Sequence, residues 1–343
     1  MKTTCLDGLW RTGRDFLGSR YPIMCGAMTW ISDAALVKAV NDQGGFGCLA
    51  AGNMPGDALA VEIEKTAAAT QKPFAVNLVT IAPNFPAHKE AVLKSKAQTV
   101  IFAGNFPKKN DVAQMKAAGK KVLSFASTDS IADQMVRFGV DGLILEGSEA
   151  GGHIGHVSLM ILLQQVLFRN PGVPTFVAGG IATGRMIAHM LLMGAAGVQM
   201  GTRFVMSEEC NAHPNLKARF VKARAREAMS TPEYDKRLPI VAVRALKNKS
   251  TEEFGRLQLE LLQLMNANQI GHAEAQYKVE SFWMGGLRKA AVDGDVDHGS
   301  CMAGQSVGLV DKVQPMKDIF AELIGDAEAE LEAVQARLGS IGG

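Results

Sequence analysis

The stretch Glu146-Gly-Ser-Glu149-Ala-Gly151-Gly152-His153-Ile-Gly155 keeps two carboxylates and a histidine on a segment otherwise nearly free of side chains. Glycine at this density lets backbone come close to a ligand, and ionisable groups retained in such a place point to acid–base chemistry. An imidazole titrates near neutral pH and can take or give a proton. A lone histidine is more often structural than catalytic. His153 is read as the acid–base residue because it follows two glycines beyond the apolar run Val140-Asp-Gly-Leu-Ile-Leu145. His156 reads as a solvated residue at a helix start. His153, His156 and Glu149 make a poor metal set, because the spacing does not suit one helix face and no further ligand is evident; no metal is expected. Glu146 ends the strand, where its carboxylate can meet backbone of a neighbouring loop or hydroxyls of a ligand.

The elements that must position these groups alternate along the chain. Apolar runs read as strands at Tyr21–Cys25, Phe46–Ala51, Pro73–Leu78, Thr99–Ala103, Lys121–Phe125, Asp141–Leu145, Val173–Ala178 and Ala196–Gly201. Helical patterns separate them, with Ser32 and Thr128 as expected N-caps. Buried strands of this unalternating kind, divided by helices, imply a parallel sheet. Eight such units predict an α/β fold, a (β/α)8 TIM barrel, ahead of an open doubly wound sheet. The remainder, polar and helical from Asn211 to Gln276, predicts a substrate-capping insertion over 205–283, with the barrel formed by 1–204 and 284–343. A C-terminal amphipathic helix is expected from Lys317 to Leu338.

In such a barrel the active site forms from the loops after the strands. Those positions carry Gly26, Ala27 and Met28; Ala51, Gly52 and Asn53; Asn77; Gly104 and Asn105; Ser124 to Ser127; Glu146 to His153; Gly179, Gly180 and Ile181; and Gly201, Thr202 and Arg203. Bare backbone and small polar groups suit a flat heteroaromatic ligand held by its edge. The seventh and eighth loops can aim backbone N–H groups at a phosphate. With no GxxxxGK[ST] loop, a nucleoside triphosphate is not expected. Flavin mononucleotide fits: one phosphate, a ribityl chain whose hydroxyls Glu146 can accept from, and a ring needing hydrogen bonds along its edge. Met302 and Gln305 follow the insertion and are expected to reach back over the mouth. Asn211-Ala-His213-Pro-Asn215 is expected to be a structural turn.

Composition narrows the partners. A net charge of +2 gives no general attraction to nucleic acid or membrane. Cys5, Cys25, Cys48, Cys210 and Cys301 are scattered with no CxxC pair, which argues against a disulfide framework and a zinc site. Charged residues interrupt any leader-like run at the N-terminus, and a reducing cytoplasm is the expected compartment.

The chain resembles the nitronate monooxygenase family, which includes 2-nitropropane dioxygenase-type enzymes and the flavin-dependent enoyl-acyl-carrier-protein reductase II. The resemblance runs nearly end to end. It is carried by Tyr21-Pro-Ile-Met with Gly26-Ala-Met28, Pro73-Phe-Ala-Val-Asn77, Glu146 through Gly155, Ala178-Gly-Gly-Ile181, Val198-Gln-Met-Gly-Thr-Arg-Phe204, and Gly294-Asp-Val with Gly299-Ser-Cys-Met-Ala-Gly-Gln305. It implies FMN held without a covalent bond by Gly26, Met28, Asn77, Glu146, Gly179, Gly180, Gly201 and Thr202, with Met302 and Gln305 near it. Ala27, Gly151 and Gly152 are counted in the same lining. It implies His153 as the catalytic acid–base residue on the substrate side. The chain departs from the pattern at Ala27, where many relatives have glycine, and around Phe102-Ala-Gly-Asn105, which bears on the shape of the substrate pocket. Two reactions follow from the resemblance. The first, placed ahead on family prevalence, is oxidation of an alkyl nitronate by O2 to a carbonyl compound and nitrite. The alternative is reduction of an enoyl thioester with NAD(P)H as reductant, a branch that Asn211 to Asn215 and Val243 to Asn248 resemble, or a related NAD(P)H:acceptor flavin reductase activity. A homodimer is compatible with either.

Overall fold

The computed structural model describes residues 5–52, 54–238 and 240–341; Asn53, expected at a strand end, lies outside them. Eight parallel strands are hydrogen-bonded in one sheet. They are β1 (Ile23–Cys25), β2 (Cys48–Ala50), β3 (Ala75–Val79), β4 (Thr99–Ala103), β5 (Lys121–Ala126), β6 (Gly142–Glu146), and, after the short β7 (Gly152–His153) described below, β8 (Thr175–Ala178) and β9 (Gly197–Met200). Their order is β1-β9-β8-β6-β5-β4-β3-β2. A parallel bridge between Met24 and Phe46 joins its two ends, with Cys25 N–H donating to Phe46 O at 2.9 Å. The chain is therefore a closed (β/α)8 barrel, as the alternation of apolar runs implied.

Strand alternation divides the side chains into two sets. Met24, Cys48, Ala75, Ile101, Leu123, Ile144 and Phe176 fill the barrel interior, while Ile23, Leu49, Val76, Val100, Leu143 and Val177 pack outward against the helices. The N-terminal end is closed by Phe16 and Leu17 of the Arg11–Leu17 helix, Phe16 lying against Phe176 with ring centroids 5.9 Å apart. Two residues further along, the same alternation turns Asn77 and Glu146 inward at the opposite, open end.

Two local readings change. The first N-cap is Asp33, whose carboxylate accepts from Leu36 N at 3.0 Å. Ser32 instead ties the loop after β1 together, accepting from Met28 N at 2.9 Å and donating to Gly26 O at 3.1 Å. Thr128 caps as expected, accepting from Ile131 N. The insertion is not all helical, because it contains β10 (Ala228–Ser230) and β11 (Val243–Leu246). Leu238, Val243, Phe254, Leu261, Ala275, Val279 and Trp283 form a separate apolar cluster, whereas Leu216, Phe220 and Ala228 belong to the main core. Trp283 is the last member of that cluster on the helix His272–Arg288, which runs straight into a π-helical turn, Lys289–Asp293.

Candidate active site

β6 delivers the glycine-rich segment to the open end, and the segment is more ordered than a turn. Gly152–His153, β7, pairs antiparallel with β11, His153 opposite Val243 and Gly152 opposite Arg244. Ile154 N–H extends the contact to Ala242 O at 2.8 Å. The cap therefore holds the histidine by backbone pairing. Gly151 has a steric reason: a Cβ there would lie 2.5 Å from Ala303 C and Gly304 N, backbone of the returning chain. Glu149 is assigned a structural task, its carboxylate accepting from Leu159 N at 3.0 Å at the start of the next helix. Buried Arg244 braces the same segment from the cap, with Nε donating to Ser148 O at 2.9 Å.

These elements enclose one cavity at the barrel mouth. Of the expected residues, Gly26, Ala27, Met28, Asn77, Glu146, Gly151, Gly152, His153, Gly179, Gly180, Gly201, Thr202 and Met302 line it. Gln305 does not; its N–H is drawn to Glu149 O at 2.9 Å as a 3-10 turn begins, and Ser306 lines the cavity in its place. Thr202 Oγ1 accepts from Gly304 N at 3.0 Å, clamping the returning chain onto the loop after β9. Gly180 has φ 72°, a left-handed conformation that glycine adopts without strain. His156 is exposed, and no cluster of metal-ligating side chains occurs among the described residues.

Residues that sequence reasoning missed come mainly from the cap. Val241, Glu280, Trp283, Met284 and Leu287 close the cavity from above. Glu280 Oε2 lies 3.5 Å from His153 Nε2, and that nitrogen is buried without a hydrogen bond. Gln199, on β9, is a further inward polar residue. Across the mouth, Trp30 holds the cap helix by an Nε1–H bond to Met284 O at 3.2 Å. It does so from φ 68°, a strained conformation for a bulky residue.

The electrostatics mark Glu146. Burial pushes Glu146 up to about 8, so it holds its proton at neutral pH. Burial likewise pushes the Cys25 thiol well up, which makes it an inert core residue. Among the cavity-lining residues the ionisable groups are Glu146, His153 and Glu280, with neither lysine nor arginine.

A closed barrel whose mouth combines bare backbone, inward polar side chains and a histidine under a cap forms a candidate ligand site. The family model described as nitronate monooxygenase matches residues 12–89 and 81–326. The chain belongs to the nitronate monooxygenase family and is a flavin-dependent oxidoreductase. It is similar to FabK from Thermotoga maritima, with 33% identity and a TM-score of 0.84 over 94% of this chain and 98% of that one. It is similar to nitroalkane oxidase from Streptomyces ansochromogenes, with 26% identity and a TM-score of 0.78 over 94% and 99%. It is 29% identical, over 94% of this chain and 97% of the relative, to (3aS,4S,5R,7aS)-5-hydroxy-7a-methyl-1-oxo-octahydro-1H-indene-4-carboxyl-CoA dehydrogenase of Mycobacterium tuberculosis. Among the described residues no helix is long and apolar enough to cross a membrane.

Proposed function

We propose that this chain holds FMN in the barrel mouth and acts on a neutral, carbonyl-activated substrate, with an enoyl or related acyl thioester ahead of an alkyl nitronate. The observation that carries this reading is the charge of the lining. An anionic nitronate would meet two carboxyl groups and could pair only with a protonated His153, whereas a thioester carries no charge to compensate. The ordering of the two reactions is thus the reverse of what family prevalence suggests. The name of the mycobacterial relative, a carboxyl-CoA dehydrogenase, supports the thioester class. The family model supports the nitronate as second reading.

The lining fits FMN. Among the described residues, no protein group hydrogen-bonds the side chains of Asn77, Glu146 or Gln199, three polar groups turned into an enclosed space. Inward polar groups without protein partners call for a ligand that supplies them. Protonated Glu146 offers a donor and an acceptor to a hydroxyl-bearing chain. The N–H groups of Gly180 and Gly201, in the loops after β8 and β9, meet no backbone acceptor among the described residues and suit a phosphate.

When bound, FMN supplies two-electron exchange with the substrate, and NAD(P)H is the proposed source of electrons for the thioester reaction. His153 then serves as the proton donor to the carbonyl-activated group, or as the acceptor in the oxidative direction. Trp283, Met284 and Leu287 exclude water above it and offer an apolar surface to the acyl portion.

Anaerobic mixing is the decisive test. Flavin bleaching by NADH or NADPH, followed by recovery on adding crotonyl-CoA, is expected; bleaching by propyl-2-nitronate alone would overturn the thioester ordering. A protein that takes up no FMN would overturn the whole reading. His153→Asn is expected to retain FMN and lose about 10²- to 10⁴-fold in turnover, and unchanged kinetics would remove His153 from the mechanism.

A further inference from the structure

We propose that Glu280 and His153 together hold the carboxamide of a nicotinamide ring and so seat the reductant in the cavity, a role that rests on the reading of NAD(P)H as the source of electrons.

Glu280 is 6% exposed, lies on the long helix His272–Arg288 and lines the cavity. Among the described residues no protein group hydrogen-bonds its carboxyl, and its one close charged neighbour is His153, with Nε2 3.5 Å from Oε2. That nitrogen is itself buried with no hydrogen-bond partner. Two polar side chains thus stand side by side in one space, and neither satisfies the other. Buried polar groups in that state call for a ligand that does.

Their chemistry defines the ligand group. A carboxyl oxygen accepts, and an imidazole nitrogen bearing hydrogen donates. The matching group offers a donor and an acceptor next to each other. A thioester and a nitronate offer acceptors only, which leaves Glu280 without a donor. A trans secondary amide, as in a pantetheine arm, points its N–H and C=O in opposite directions. A primary carboxamide has an N–H on the same side as its C=O, so the N–H donates to Glu280 while the C=O accepts from His153 Nε2. Of the reacting groups that the proposed function brings to this cavity, only the nicotinamide carries one.

The cap helix supplies the rest of the seat. Glu280, Trp283, Met284 and Leu287 follow one another at i, i+3, i+4 and i+7, a single helix face. Glu280 is the one polar residue of that cavity-lining face, and the three apolar side chains beside it suit a flat ring. The ring gives up hydride from its C4–H bond, whose electron pair and hydrogen pass to FMN, and is left as a pyridinium cation. Neither lysine nor arginine lines the cavity to oppose that charge. The thioester then takes the same space in turn.

The experiment titrates FMN-loaded protein with NAD+ and NADP+, each beside its 3-acetylpyridine analogue, which keeps the acceptor oxygen and has a methyl group in place of the NH2. Dissociation constants are read from the perturbation of the flavin absorbance, without turnover. The native chain is expected to bind the carboxamide form of the coenzyme it uses about tenfold more tightly than the acetyl form. In Glu280→Leu, which has no acceptor, that ratio is expected to fall to about one, while Glu280→Gln, which keeps an amide oxygen, retains most of it. If Glu280→Leu fails to fold, Glu280→Ala reads the same loss. The same ratio in the native and acceptor-free chains, or equal affinities in the native chain, would overturn the proposal. Weaker crotonyl-CoA binding in Glu280→Leu at an unchanged nicotinamide ratio would move the contact to the pantetheine amides and overturn it too. Flavin bleaching by NAD(P)H and recovery with crotonyl-CoA, at equal native affinities, would overturn this inference and leave the thioester reading standing. The expected ratios in a protein that spares crotonyl-CoA would do the reverse, and a chain that neither binds nor is bleached by either coenzyme would overturn both.

Discussion

The barrel rim and the cap meet the same cavity with opposite means. The rim offers Gly26, Gly179, Gly180 and Gly201, together with the inward polar side chains of Asn77, Glu146 and Gln199. Its geometry is set by strands that are buried on both faces. The cap offers Glu280, Trp283, Met284 and Leu287 from a helix supported by its own small apolar core. The difference separates two tasks. A rim of backbone and fixed polar groups suits a constant cofactor, while a surface of side chains on a separately packed unit can change without disturbing it. His153 stands where the two meet: β6 delivers it and β11 holds it.

The sharpest way to break this division is to damage the cap core alone. Phe254→Ala removes a ring packed against both Phe282 and Trp283, at a cost of about 3–5 kcal/mol. FMN binding measured by fluorescence is expected to persist while turnover collapses; loss of both together would mean that the cap and rim are one unit. Next comes Gly151→Ala, which must push the His153 segment away from backbone at Ala303 and Gly304. A displacement of that kind is expected to lower turnover by about 10²-fold, with the fold intact by circular dichroism; unchanged turnover would show that the segment can yield.

A third test addresses the rim. The folded Glu146 group titrates at about 8, above its ordinary value, so the FMN-free folded chain keeps a proton that the unfolded chain releases. Its stabilising contribution is complete below pH ~4.5 and is lost as pH rises through about 8. Thermal melts of the FMN-free protein are expected to fall between pH ~4.5 and about 8 and to level off above, and Glu146→Gln is expected to flatten that fall by about 2 °C. Parallel curves would overturn the assignment. The smallest effect belongs to the latch. Trp30→Phe deletes the bond to Met284 O and is expected to loosen the cap by about 1 kcal/mol, read as faster proteolysis within the cap at unchanged FMN affinity.

Much of the rim is legible in the amino-acid sequence alone. Asn77 and Glu146 end apolar runs, and strand alternation then decides which way they turn. Gly179, Gly180, Gly201 and Thr202 are legible because glycines after strands mark βα turns. Gln305 shows where such reasoning stops. It sits in the same motif as Met302, but a hydrogen bond from its N–H to Glu149 O and the start of a 3-10 turn decide that Ser306, and not Gln305, lines the cavity. Ser32 and Asp33 show the same limit at a cap, since both residue types can serve and only local geometry chooses. The two strands in the insertion are hidden in a linear reading because β11 gains its place by pairing with β7, far away in sequence. Glu280 is invisible there for a related reason: on an amphipathic helix with several acids, no local pattern says which carboxylate will be buried against a histidine.

What the sequence by itself determined is the repeating barrel and the composition of its rim. Strand and helix periodicity and glycine punctuation are short-range properties that survive in a linear reading. What only the tertiary structure decided is the pairing of His153 with Glu280 beneath the cap. That contact joins two elements with separate cores, and its 3.5 Å distance is set by how those cores pack against each other rather than by either segment alone.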